Sequence, residues 1–418
     1  MRLAAFRAGC KLDAVDEVLR TSWDHLDDPF DVLQRLVEDG SVLVEEPPRY
    51  RLPEAMRKET LAQASLAEID VAMAGLFDWA DGFCAQVAEG TTGQDQETWF
   101  DRADRELDNV SDAVAYGAAR PPLRSRTLRM VFDLRHFWAV RGHYALGLSL
   151  LEPNLPAGSD VLDTLRVGAT NLAGVLAMSM GDLDAAERHL TEGLMLARQH
   201  GDIMAQGRGL GNLGMIAWER MDFAVAHDAF SEASVLFETA KEWGSVGTAR
   251  LNLGYVLIDM ERLDAARDAL EASLEPLRAA DDRSGLAYAT GNLGYLALVR
   301  GRRDESVRLV RASLDAFGRL GDWKGTINTL VSAATLLAST DLGSAAMIRG
   351  AIEAMSLREG MASTPRDDQR LLEIDRTLEE APNAAALRSQ RLKGLAMSPG
   401  HGIEYALSAL SAISPKNG

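Results

Sequence analysis

An Asn-Leu-Gly triplet recurs along the middle of the sequence, and its asparagine has the most chemistry to offer. Asn212-Leu213-Gly214 is followed by Asn252-Leu253-Gly254 and Asn292-Leu293-Gly294. Asn171-Leu172-Ala173-Gly174 precedes it, and Asn328-Thr329-Leu330 is a weaker echo. The asparagines are 41, 40, 40 and 36 residues apart. A carboxamide presents a donor and an acceptor together. Repeated at one position of a helical stack, it can bracket the backbone of an extended peptide without reading its side chains. Leucine at such a site fills the core and glycine lets helices approach. Asparagine is a poor helix-interior residue, so its recurrence needs another cause. Two stay open: contact with a ligand, or a bond from each amide to a neighbouring helix that steadies the stack.

Other residues would share that face. With the triplet glycine counted as the eighth position of a unit, these are Arg208, Met215, Trp218 and Glu219 in one unit. The next offers Thr248, Tyr255 and Asp259, the one after Tyr288 and Tyr295, and the last Lys324. Together with Asn171, Asn212, Asn252, Asn292 and Asn328 they form the candidate ligand groove. Tyr255 and Tyr295 would serve equally as core filling. Trp218 and Trp243 read as packing residues unless a concave face exposes them.

A period near 40 residues in a helix-rich chain implies stacked helical pairs, each burying its apolar face against the next. The expected fold is mainly α, an α-solenoid of helical hairpins with a small N-terminal module. Each unit places the triplet on a first helix, then a tight turn, then a second helix. The turns are Met180-Gly181-Asp182, Arg220-Met221-Asp222, Met260-Glu261-Arg262 and Arg300-Gly301-Arg302. Gly201-Asp202, Asp281-Asp282 and Gly321-Asp322 join one unit to the next. Composition shifts divide the chain into residues 1–68, a helical linker at 69–160, the array at 161–360 and a helical cap at 361–418. Breaks are expected at 152–160, rich in Pro and Gly, and at Ser363-Thr364-Pro365. The cap should hold helices from Asp367, Asn383 and Ile403, and the tail after Ile413 should fray. In the first segment a helical run at 30–39 precedes two short β-like runs around Pro47-Pro48, then a helix from about Pro53. That order suits a winged-helix-like module.

The repeats resemble tetratricopeptide units of a longer kind, with Leu213, Gly214 and Ala224, and Leu253, Gly254 and Ala265, at the packing positions. The stretch from Gln34 to Val44 followed by Arg49 to Arg57 resembles the winged-helix segment of bacterial STAND-type ATPase regulators, the AfsR/LuxR-associated group. Glu106 to Val110 and Phe137 to His143 resemble that group's helical linker. Ile348 to Arg358 and Ile403 to Leu407 resemble its C-terminal cap. The resemblance implies a sensor that binds a peptide or protein in a concave groove, as Asn ladders do in peptide-binding relatives. It departs from the group in one respect: no Gly-x-x-x-x-Gly-Lys-Ser/Thr phosphate cradle occurs, so no ATPase activity carries over.

The residue types for catalysis are present but not arranged for it. The seven histidines, from His25 to His401, form no HExxH or Cys/His ligand spacing, and no Gly-x-Ser-x-Gly elbow occurs. Carboxylate pairs such as Asp27-Asp28 and Asp281-Asp282 fall where turns and caps belong. No enzyme, metal or cofactor is expected. A net charge of −18 repels nucleic-acid phosphates and anionic membranes. Residues 1–60 hold nine basic and thirteen acidic side chains, so nucleic acid is disfavoured as a partner even there. Arg49, Arg51, Arg57 and Lys58 are the residues that could contact it through the wing. The two cysteines, Cys10 and Cys84, read as reduced thiols. No apolar run reaches the roughly 18 residues of a membrane span, and a cytoplasmic location is expected.

The expected function is therefore a non-catalytic regulatory scaffold or sensor that binds a peptide or protein partner, of which a regulator or ATPase supplied in trans would be one. The alternatives are a DNA-binding regulator acting through the wing and a small-molecule sensor. The sequence sets neither the partner nor the oligomeric state.

Overall fold

The computed structural model describes residues 1–20, 29–45, 48–92, 95–155, 163–359 and 365–413. His25, the Asp27-Asp28 pair, the expected breaks at 156–160 and Ser363-Thr364, and the tail 414–418 lie outside the described residues. The fold is mainly α, and the chain divides into two compact units, Met1–Ala205 and Gln206–Gly418.

In the first unit, α1 (Leu12–Arg20) and α2 (Pro29–Glu38) precede the strands β1 (Leu43–Glu45) and β2 (Arg49–Arg51). The strands pair antiparallel, with Val44 opposite Tyr50. Next come α3 (Glu54–Gln63), α4 (Leu66–Gly90) and α5 (Gln96–Ala118). A Ser65/Glu68 capping box starts α4. Then α6 (Arg124–Asp133), α7 (Arg135–Arg141) and α8 (Tyr144–Leu151) follow. Leu134 separates α6 from α7. Phe6, Phe77, Trp79, Phe137 and Trp138 are buried in this unit's core. The first helical hairpin, α9 (Asp163–Ser179) and α10 (Leu183–Gln199), completes it.

The second unit is a solenoid of tetratricopeptide-like pairs. These are α11 (Ile203–Glu219) with α12 (Phe223–Thr239), α13 (Trp243–Asp259) with α14 (Leu263–Ala279), α15 (Arg283–Val299) with α16 (Arg303–Leu320), and α17 (Trp323–Ala338) with α18 (Leu342–Glu359). The triplet glycine has the expected packing role. A Cβ on Gly254 would lie 2.6 Å from the Leu270 side chain of α14.

Turn chemistry sets a finer period than the repeat. A residue with positive φ stands at 181, 201, 221, 241, 261, 281, 301 and 321, one every 20 residues. The two helices of each pair therefore end alike. In the turn at Met221, its N–H donates to the Trp218 carbonyl and the Asp222 N–H reaches back to Ala217, which is the Schellman arrangement. Asp222 then caps the next helix through its carboxylate. Asp182, Asp202, Asp282 and Asp322 do the same at their own helices. Glycine fills four of the eight positive-φ sites; Met221, Lys241, Glu261 and Asp281 fill the others.

This phase corrects two members of the asparagine ladder. Counting 40 residues on from Asn292 arrives at Ser332, not Asn328. Asn328 is equivalent to Arg208, Thr248 and Tyr288, one helical turn earlier. Counting back from Asn212 gives Leu172, so Asn171 is rotated about 100° away around its helix. The ladder in phase is Asn212, Asn252 and Asn292.

The cap consists of α19 (Pro365–Glu380), α20 (Ala384–Leu395) and α21 (Pro399–Ala412). The last helix begins four residues before the expected Ile403, because Ser398 caps it and Pro399 occupies its first position. The cap does more than seal the end of the stack. Its α19 packs on α17, and its first turn reaches back as far as α13.

Candidate functional site

The face made by α11, α13, α15 and α17 in the second unit contains two neighbouring cavities. The outer one has a volume of about 350 Å³. Its lining includes Met215, Trp218, Thr248, Asn252, Tyr255, Tyr288, Lys324 and Asn328, all expected from the sequence. Phe230, Leu251 and Val256 supply apolar wall that was not anticipated, along with Asp282, Ser284 and Gly285. The inner one, about 50 Å³, shares Trp218, Tyr255, Tyr288 and Asn328 with it. It adds Asn292 and Tyr295 from the expected set and Arg366, Asp367 and Arg370 from α19. The alignment has a simple cause. Residues 40 apart occupy the same point on successive first helices, so Thr248, Tyr288 and Asn328 form one column and Met215, Tyr255 and Tyr295 another.

The remaining expected groove residues line neither cavity. Arg208 and Glu219 are exposed, Asn212 is half-buried, and Asn171 belongs to the first unit. Asp259 lies behind the wall. One of its oxygens accepts from the Trp218 indole N–H at 2.6 Å and the other from Arg366 Nε at 2.7 Å.

The asparagines have separate environments. Asn292 is buried and donates to the carbonyl of Tyr288 at 2.7 Å, one turn back on its own helix. Its amide is thus spent on its own helix, inside the array. Asn252 and Asn328 are half-buried on the outer cavity wall, and no hydrogen bond engages either amide among the described residues. Lys324 is exposed at the rim with no ion pair among those residues.

Polarity changes along the site. Burial pushes the Tyr255 phenol up to about 12 and raises that of Tyr288, which Asp322 raises further. Both therefore stay neutral donors near pH 7. The Arg366 guanidinium lies 5.9 Å from the Tyr255 ring centre and 5.7 Å from that of Tyr295; Arg370 lies 4.5 Å from Tyr295. The arginines of α19 gave no sequence signal for this role. Only the fold brings them here, although their spacing of four residues on one helix does put them on a common side.

The expected nucleic-acid contacts are placed differently. The expectation that Arg49 faces a nucleic acid is corrected. It is 8% exposed, and it pairs with Glu106 on α5 through contacts of 2.5 and 3.1 Å. It also donates to the carbonyls of Ala8 and Gly9. A guanidinium that bonded and buried is a structural tie, since removing its partner would strand a charge. The other three each have an acidic partner: Arg51 has Glu45 at 2.9 Å, and Arg57 and Lys58 share Glu54 at 2.9 and 3.4 Å. Arg57 holds the exposed Glu54 carboxyl down at about 2.

Among the described residues no group of His, Cys, Asp or Glu could hold a metal ion. No helix among them is long and apolar enough to cross a membrane.

No protein-family model matches the sequence. No curated protein sequence matches it either. Solved structures with a similar course of helices do exist. A STAND protein with a tetratricopeptide repeat sensor, PH0952 from Pyrococcus horikoshii, aligns over 98% of this chain and 64% of its own at 12% identity, with a TM-score of 0.49. The apo form of RapI aligns over 68% of this chain and 98% of its own at 11% identity, TM-score 0.47. BtubC (BKLC) from P. vanneervenii aligns over 53% of this chain and 92% of its own at 18% identity, TM-score 0.46.

Proposed function

We propose that this chain is a non-catalytic binding scaffold that receives an extended peptide or protein segment along the α11/α13/α15/α17 face. The observation that carries this reading is the outer cavity, about 350 Å³ in volume, whose wall holds two amides, Asn252 and Asn328, that nothing among the described residues engages. Concave sites with mostly apolar walls and a few convergent polar groups are the usual form of a ligand pocket. Main-chain groups of an extended segment match the donor and acceptor of each carboxamide. Trp218, Tyr255 and Tyr288 supply aromatic area of the kind that anchors interfaces. We read residues 1–68 as a winged-helix-like spacer, 69–160 as a linker, 161–360 as the repeat array and 361–418 as its cap, with the partner a regulator or ATPase supplied in trans. The nucleic-acid reading loses its central residue with Arg49.

The test is selection from a random twelve-residue peptide display library on the full chain. Selected peptides are then compared on the wild-type protein and on Asn252→Ala/Trp218→Ala. At least tenfold weaker binding to the variant supports the reading. Failure to select any peptide, or equal binding to both proteins, counts against it.

A further inference from the structure

The first unit holds a cleft of its own, remote in sequence from the repeat face. Its lining comes from the start of α1, from β2, and from α4 and α5, and its volume is about 70 Å³. The stacked rings of Trp79 and Phe83, 5.2 Å apart, make a buried apolar wall. Arg49 and Glu106 are buried beside them and cancel each other. One oxygen of Glu106 accepts from Arg49 at 2.5 Å, the other from Arg49 at 3.1 Å and from the Asn109 amide at 2.7 Å. The charges left over are three cations, Lys11, Arg102 and Arg105, and one carboxylate, Asp13. Arg102 and Arg105 lie one turn apart on α5, which puts them on one side of it. Arg102 is 4.2 Å from the centre of the Trp99 ring and 5.9 Å from that of Phe83, close enough for the rings to hold it in place. Asp13 lies 4.0 Å from Arg102, at the limit of an ion pair. Lys11 and Arg105 make no ion pair or side-chain hydrogen bond among the described residues. The cleft thus has an excess of two positive charges in a chain whose net charge is −18. A cleft of one sign with apolar walls concentrates its field on the space between them.

We propose that this cleft binds a phosphate monoester by its terminal phosphoryl group. Such a group carries close to two negative charges near pH 7 and three acceptor oxygens. The charge equals the excess in the cleft, and the oxygens answer Lys11, Arg102 and Arg105. A carboxylate, a sulfate ester or an internal phosphodiester brings one charge and leaves a cation uncompensated. Guanidinium groups suit phosphate oxygens because they can give two parallel donors. The Trp79 and Phe83 wall keeps water from one side and so strengthens each of these bonds. Size points the same way. The cleft has room for several water-sized groups but is well below the roughly 300 Å³ of a pocket that encloses a whole small molecule. The phosphoryl head is therefore enclosed and its carrier is not. Asp13 opposes the bound dianion and keeps the affinity moderate. The site belongs to the first unit and does not depend on the peptide-binding reading.

Isothermal titration calorimetry on the full chain tests this with phenyl phosphate as the probe and phenyl sulfate as a monoanion of the same shape. Phenyl phosphate should bind, and phenyl sulfate should bind at least tenfold more weakly. Arg105→Gln and Lys11→Gln, whose side chains have no partner to lose, should each weaken phenyl phosphate about fivefold. Asp13→Asn should tighten it about threefold. Lys393→Gln makes the same charge change at an exposed position of α20 and should leave binding unchanged. Absence of binding, equal binding of the two esters, or an equal loss in Lys393→Gln and Arg105→Gln would overturn the proposal. So would a twelve-nucleotide oligothymidylate without terminal phosphates that bound as tightly as phenyl phosphate, because it offers diesters alone. A phosphotyrosine nonapeptide and its unphosphorylated form then separate the sources. Phosphopeptide binding at least tenfold tighter than phenyl phosphate, lost without the phosphate, assigns the ester to a modified protein. Equal or weaker binding assigns it to a small molecule. Both outcomes support the phosphoryl site, whereas equal binding of the two peptides overturns it.

Discussion

Arg366 and Asp259 are 107 residues apart in sequence, yet Nε of one donates to the carboxylate of the other at 2.7 Å. The pair is largely buried, with side-chain exposures of 18% and 12%. The second oxygen of Asp259 orients Trp218 on the cavity wall. Replacing Asp259 strands both donors. Asp259→Ala should cost about 3 kcal/mol, the lower end of what breaking a buried pair costs, measured by urea unfolding. It should also change the fluorescence of Trp218, read as the difference from the same pair of proteins carrying Trp218→Phe. Restored stability in Asp259→Ala/Arg366→Met would identify the stranded guanidinium as the source of the loss.

The turns give a second prediction, one that does not involve the site. Met221 and Lys241 hold positive φ, where a side chain costs roughly 1 kcal/mol. Glycine relieves that cost but loosens the unfolded chain. Met221→Gly and Lys241→Gly should each stabilise by about 0.5 kcal/mol, and Gly301→Ala should destabilise by about 1 kcal/mol. The urea midpoint reports all three, and a loss in both glycine variants would contradict the assignment of strain.

Helix α18 crosses α20 through two glycines. A Cβ on Gly350 would lie 2.0 Å from the Arg391 carbonyl oxygen. One on Gly394 would lie 1.9 Å from that of Met347. Backbone cannot yield as a side chain can. Gly394→Ala should therefore cost about 3 kcal/mol, the upper part of the range for overpacking. Gly400→Ala, with nothing within 4 Å of its Cβ, is the control. Differential scanning calorimetry separates the two outcomes.

Alkali should act through Tyr255. Its phenol is held at about 12 in the folded chain by burial and titrates near 10 when unfolded. Below pH 10 both states keep the proton, so the group adds no pH dependence. Between about 10 and 12 the unfolded chain releases the proton while the folded chain keeps it. Stability then falls by about 1.4 kcal/mol per pH unit from this group. Tyr255→Phe should flatten that part of the stability curve, and absorbance at 295 nm follows the phenol directly.

The repeat, its turns and most of the outer cavity wall were legible in the sequence because they rest on local chemistry. Asp after a positive-φ residue ends one helix and starts the next within a few residues, and a strict period carries one residue type to one point in space. The ladder was misread at Asn328 and Asn171 because a matching residue type was followed in place of the phase fixed by Gly174, Gly214, Gly254 and Gly294. The part of α19 in the site was not legible. No local pattern links Arg366 to Asp259, and only the return of the cap across the first helices joins them. Arg49 looked available for phosphate because its partner, Glu106, lies 57 residues away.

In the second unit, the positive-φ turns that carry side chains are Met221, Lys241, Glu261 and Asp281, in unbroken succession, before glycine takes over at 301 and 321. The outer cavity draws its wall mainly from these same repeats. Stability in such stacks is close to a sum of neighbour terms. Each strained turn subtracts from the sum where the ligand would sit. The stack is therefore weakest beside the outer cavity, and hydrogen exchange should begin there, well inside the array, and not at the glycine turns that follow it.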